Sequence, residues 1–130
     1  CIASLMFPML KRVYGVELLD SLFDVANGIS QQLHKDALAK FGAGSFAPVT
    51  IVHGDMLEVD WSNADIVYSA SVCFPDELID RITNKCEQLK KGSRIITLKQ
   101  YPDRPYLIMK YALKLKMTWG RCFVYIYIRC

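Results

Sequence analysis

No apolar run in these 130 residues is long enough to span a bilayer. The opening stretch Cys1–Leu10 also lacks the basic start and cleavage pattern of a signal peptide. A soluble intracellular protein, not a membrane one, is expected. The five cysteines, at positions 1, 73, 86, 122 and 130, form no Cys-x-x-Cys pair, and an odd number fits a closed disulfide framework poorly. They read as reduced, mostly packed thiols. Histidine is scarce: His34 and His53 stand apart, with no second ligand at metal spacing. Structural places are expected for both, His34 on a helix face and His53 at a strand end, and no metal site. A nucleophile elbow and a Gly-x-x-x-x-Gly-Lys phosphate loop are absent. So are internal repeats, low-complexity stretches and an interdomain linker, which makes 1–130 a single domain.

With 52% hydrophobic and 22% charged residues, the chain is globular, not disordered. Its net charge of +3 hides an asymmetry. Residues 1–89 hold six Lys/Arg against twelve Asp/Glu, whereas residues 90–130 hold ten against one. Lys114 and Lys116 alternate with Leu113, Leu115 and Met117, so a solvated strand face is the favoured explanation of the excess over attraction to an acidic partner such as nucleic acid or nucleosome. No aromatic-basic recognition motif accompanies the charge, and no sequence-specific nucleic-acid binding is predicted.

The chain opens without an initiator methionine, in a helix-like apolar spacing from Cys1 that Pro8 disturbs. It reads as a fragment entered partway through. Arg12–Glu17 is a short apolar run ending on a carboxylate, as a buried parallel strand would. Leu19, Leu22, Phe23, Ala26, Ile29 and Leu33 then recur at helical spacing, with Gly42 or Gly44 as the stop. Val49–His53 and Ala64–Ser69 read as strands. Between Pro75 and Gly92 the punctuation of a helix is full: Asp76 and Glu77 in the first turn, Lys90 and Lys91 in the last. Arg94–Leu98 is the next strand. Tyr106–Ala112 fits a helix or a strand equally, and Leu113–Met117, Trp119-Gly120 and Cys122–Ile128 predict a closing antiparallel hairpin. Alternating strands and helices predict an α/β fold, a doubly wound and mostly parallel sheet with helices on both faces.

The chemistry then rests on strand ends. Glu17, Asp55 and the segment Tyr68-Ser69-Ala70-Ser71 would line the carboxyl edge of such a sheet, where nucleotide-like ligands bind. Glu17 there can accept both hydroxyls of a ribose. A strand-end carboxylate is also explained as a solvated charge favoured by the helix start that follows.

Val-Tyr-Gly-Val-Glu17, His53-Gly-Asp-Met56, Ala64-Asp-Ile-Val-Tyr68 and Leu89-Lys-Lys-Gly-Ser-Arg-Ile-Ile96 together resemble the ordered motifs of class I S-adenosylmethionine-dependent methyltransferases. Val72–Asp80 and Thr118-Trp-Gly followed by Val124-Tyr-Ile-Tyr127 are similar to the non-SET histone-lysine methyltransferases named for disruption of telomeric silencing. The resemblance implies that Glu17 binds the cofactor ribose, Asp55 the adenine amino group, and that Met56 packs on the adenine ring. Ser69, Ala70 and Ser71 would lie beside the methionine end and the incoming substrate. It implies methyl transfer to a protein lysine, with a histone or nucleosome as partner and the nucleus as location, or the cytoplasm if the histone resemblance fails. Where that family has an Asn-Asn pair, this chain has Ala70-Ser71. The first strand and its glycine-rich loop are missing, so the expectation is a methyltransferase-like domain partial at its N-terminus, unable to form a complete cofactor site alone. Two other readings remain: a non-catalytic Rossmann-like scaffold, and an NAD-dependent oxidoreductase, whose dinucleotide ribose Glu17 would serve equally well.

Overall fold

The computed structural model describes residues 2–130. Cys1, where the sequence places the start of the first helix, lies outside the described residues. Two compact units divide the chain, Cys1–Val59 and Asp60–Cys130.

In the first unit, helix α1 (Ile2–Met6) is short because Pro8 lies just beyond it. Ser4 on α1 is fully buried; its hydroxyl donates to the Ala47 carbonyl, and the Ala47 N–H returns to the Ser4 carbonyl at 3.3 Å. Strands β1 (Val13–Glu17) and β2 (Val49–His53) pair in parallel, Val13 opposite Val49 and Glu17 opposite His53. Parallel neighbours need a crossover, and helix α2 (Asp20–Phe41) supplies it. Its stop is Gly42 at φ 81°, whose N–H caps the Leu38 carbonyl. That left-handed backbone favours glycine. On the packed side, Ser30 donates to the Val49 carbonyl at 3.3 Å, while Leu22, Val25 and Ile29 form an exposed apolar stripe.

The second unit runs β3 (Ile66–Ser69), a 3-10 turn at Ser71–Cys73, helix α3 (Asp76–Lys85), β4 (Arg94–Thr97), β5 (Leu107–Met117) and β6 (Gly120–Arg129). The sheet order is β3-β4-β6-β5, with β3 and β4 parallel and the other pairs antiparallel. The closing hairpin is present, and the ambiguous Tyr106–Ala112 falls largely in β5 because β6 pairs with it. A register shift between Met109 and Tyr111 interrupts that pairing.

One helix boundary is corrected. Lys90 and Lys91 are not in the last turn of α3, which ends at Lys85 and tightens into a 3-10 turn over Cys86–Gln88. Tertiary structure sets this end: Cys86 and Leu89 are buried, the Lys90 N–H bonds the Ser62 carbonyl, and the Gly92 N–H bonds the Arg129 carbonyl at 2.7 Å. Gly92, at φ 87°, turns the chain into β4 instead of stopping a helix.

The architecture is therefore mixed α/β. Ile79, Ile82, Cys86, Leu89, Ile95, Leu98, Tyr101, Leu107, Val124 and Tyr127 form the buried apolar core of the second unit. Of the free thiols at the described positions, Cys86 is buried and Cys73 exposed, so the cysteines are less uniformly packed than expected. Desolvation pushes the Cys86 thiol up to about 12. Among the described residues no helix is long and apolar enough to cross a membrane.

Candidate functional site

Parallel pairing brings the carboxyl ends of β1 and β2 to one edge. Glu17, the last residue of β1, is half-buried and faces His53 across the pair. The Gly54 N–H bonds the Glu17 carbonyl at 2.9 Å and carries the pairing one step further, into Asp55 and Met56. Glu17 Oε1 accepts the Leu19 N–H at 3.0 Å, at the residue that precedes α2. This bond supports the simple reading of Glu17 as a charge at a helix start. It does not exhaust the group, because an ionised carboxylate has about four acceptor sites. Acceptor capacity for two hydroxyl donors is left, the number a vicinal diol presents.

Asp55 is half-buried and opens a turn: its Oδ1 accepts the Leu57 N–H at 2.8 Å, and its carbonyl accepts the N–H groups of Glu58 and Val59. Such an Asx-turn fixes the carboxylate's position from its own backbone. Met56 beside it is half-buried.

Sequence reasoning missed a neighbour of Glu17. His53 Nε2 lies 2.9 Å from Asp20 Oδ1 and 3.3 Å from the Leu18 carbonyl, and its ring stacks on Phe23 with centroids 4.7 Å apart. Both oxygens accept, so Nε2 carries the hydrogen. The pair is solvent-exposed, with side-chain exposures of 44% and 90%, so it orients the β2 end and adds little stability. No local signal reveals it, since only the β1–β2 register brings His53 to the start of α2.

The other candidate residues belong to the second unit. Ser69 ends β3, Ala70 is exposed, and Ser71 is fully buried in the 3-10 turn. Ser71 Oγ and Thr97 Oγ1 share a 2.6 Å hydrogen bond, so this hydroxyl anchors the turn to the end of β4. Lys99 holds the far side of the same loop: its ammonium donates to the Phe74 carbonyl and pairs with Asp76, each at 2.7 Å. Tyr101 is clamped through its backbone, whose N–H donates to Tyr127 Oη at 2.9 Å. Its own buried hydroxyl lies near Ser69 and Thr97 but meets neither in hydrogen-bond geometry, and burial pushes it up to about 12. Glu17, Asp55 and Met56 thus share one unit, and Ser69, Ala70 and Ser71 the other. An open depression of about 320 Å³ between α2 and β2, lined by Ser30, His34, Val49 and Ile51 among others, includes none of the six.

Residues 1–118 match the family described as histone methylation protein DOT1. No curated protein matches the chain. Among solved structures, the X-ray structure of precorrin 8w decarboxylase from Methanobacterium thermoautotrophicum is similar at 17% identity, over 92% of this chain and 70% of that one, with a TM-score of 0.48. The family match spans both units and nearly the whole sequence: this chain belongs to the DOT1 family of histone methylation proteins.

Proposed function

We propose that the chain is the core of an S-adenosylmethionine-dependent methyltransferase acting on a protein lysine, of the histone class, in the nucleus, and that both units serve one methyltransferase-like domain. The observation that carries the reading is Glu17, half-buried at the carboxyl end of β1 with acceptor capacity left after its bond to Leu19. Glu17 would take the ribose hydroxyls, Asp55 the adenine amino group, and Met56 would cover one face of the ring. Ser69 and Ala70 would border the methionine end, while Ser71 holds their turn in place through Thr97. The bound cofactor would supply a methyl group on a sulfonium, open to in-line displacement. That chemistry asks the protein mainly for alignment and exclusion of water, and no acid-base triad is needed.

The doubly wound sheet belongs to the same proposal. β1 pairs β2 and β3 pairs β4 in parallel, each pair in its own sheet, and parallel pairing is what supports that reading. One observation favours a non-catalytic scaffold instead: Ala70 has no polar side chain, and the Ser71 hydroxyl is committed to Thr97.

Equilibrium binding of S-adenosylmethionine to the full-length protein tests the ribose role. Glu17→Ala should raise Kd by roughly 5- to 150-fold, the cost of ~1–3 kcal/mol for buried polar partners left unpaired. An unchanged Kd would remove Glu17 from the site. Cofactor binding without methyl transfer to histones would select the scaffold.

A further inference from the structure

The β5–β6 hairpin holds no acidic residue between Leu107 and Arg129. Its register sets Lys114 opposite Phe123, Lys116 opposite Arg121 and Ala112 opposite Tyr125. Directly opposed residues share a face of an antiparallel pair, as do alternate residues along a strand. Lys114, Lys116, Arg121, Phe123 and Tyr125 therefore form one patch. Contacts across it agree: the Lys114 ammonium is 5.7 Å from the Phe123 ring centre, and the Phe123 and Tyr125 rings stack at 6.0 Å with planes 25° apart. The patch is open at Phe123, 47% exposed, and at all three cations, while Tyr125 is half-buried. β4 pairs with β6 only from Tyr125 to Ile128, so Gly120–Val124 has a strand neighbour on one side alone. Aromatic and basic side chains that lie apart in the sequence are thus interleaved by the fold.

We propose that this face binds single-stranded nucleic acid without sequence preference, phosphates on Lys114, Lys116 and Arg121 and unpaired bases on the rings of Phe123 and Tyr125. Three cations with no carboxylate in the ribbon select an anionic partner and repel a basic peptide. The rings decide among anions. A duplex keeps its base faces stacked internally, and an acidic protein surface offers carboxylates without flat π-faces, whereas an unpaired strand offers both phosphates and faces. Side chains two apart on a strand repeat at roughly 6.8 Å, so one extended chain can meet Lys114 and Lys116 in turn. The lysine over Phe123 sits on a flexible stem at an exposed site, where a base can displace it to a neighbouring phosphate.

Fluorescence anisotropy of a labelled thymidine oligonucleotide, titrated with the full chain as a single strand and as a duplex at several salt concentrations, tests this. The single strand should bind more tightly, with a log-log salt slope of about −2, roughly −0.7 for each of three phosphates. Replacing Lys114, Lys116 and Arg121 together by glutamine should flatten that slope. Phe123→Leu should weaken binding by about 5- to 150-fold at unchanged slope, and Phe123→Tyr should retain it. Preference for the duplex, displacement of the strand by polyglutamate, or equal affinity of the Leu variant and the parent would overturn the proposal. Should the Leu variant fail to fold, the triple-glutamine variant, altered only at exposed side chains, decides by its slope.

Discussion

The two units differ most in what they bury. Asp60–Cys130 buries isoleucine, leucine, valine, cysteine and tyrosine side chains, whereas among the described residues of Cys1–Val59 the buried apolar side chains are the alanines at 37 and 47. Its helix α2 leaves Leu22, Val25 and Ile29 exposed. Yet the candidate residues Glu17, Asp55 and Met56 lie in this thinly packed unit, and the Ser69–Ser71 turn lies in the well-packed one. The difference teaches that strand-end geometry and core burial are separable: β1 and β2 hold register through ladder hydrogen bonds and the Ser30 and Ser4 anchors, with little apolar area behind them.

The contrast should break first at Ile95. This residue of β4 is 0% exposed, and Ile95→Ala should cost about 2–5 kcal/mol, the transfer loss plus the cavity left behind. In urea titration the midpoint of the second unit should fall sharply, while Ile51→Ala on half-buried β2 should shift the first unit by less. Equal shifts would mean that the apparent difference in packing has no energetic counterpart.

A smaller effect sharpens the picture within the core. Tyr127 Oη accepts the Tyr101 N–H, and Tyr127→Phe strands that buried donor at a cost of about 1–3 kcal/mol. Tyr101→Phe works the other way, since it removes a buried hydroxyl that has no partner, and thermal stability should hold or rise. A drop in Tm for Tyr101→Phe comparable to that of Tyr127→Phe would show that the hydroxyl is bonded after all.

The same contrast explains how much the sequence discloses. β1, β2 and the start of α2 are legible because their signals are local: a β-branched or apolar run, a carboxylate at its end, and apolar residues at three- and four-residue steps. The end of α3 is not. Lys90-Lys91-Gly92 has the chemistry of a helix stop, but burial of Cys86 and Leu89 and the bond from Lys90 to Ser62 end the helix earlier. Leu113–Met117 is legible from its alternation with lysine, but Tyr106–Ala112 is ambiguous because Ile108–Ala112 are exposed on both faces, so neither period is imprinted there and pairing with β6 makes them a strand. Glu17 and Asp55 could be nominated from strand ends alone. Ser71 with Thr97, His53 with Asp20, and Lys99 with Asp76 join residues from different elements, and no spacing rule anticipates them.

The smallest expected effect concerns the last of these pairs and is a matter of pH. The hydrogen bond and charge of Lys99 hold the Asp76 carboxyl below its usual value. A depressed folded-state pKa contributes stability above the unfolded value near ~3.9, and that contribution is lost as pH falls through the folded value. Asp76 is fully exposed to solvent, so screening leaves the effect slight, visible only in the acid limb of a stability profile. Lys99→Met should flatten that limb below about pH 4 and leave the neutral plateau nearly unchanged, apart from the lost bond to the Phe74 carbonyl. An acid limb identical in parent and variant would show that the bond to Phe74, and not the ion pair, is what holds the Ser71–Asp76 loop against β4.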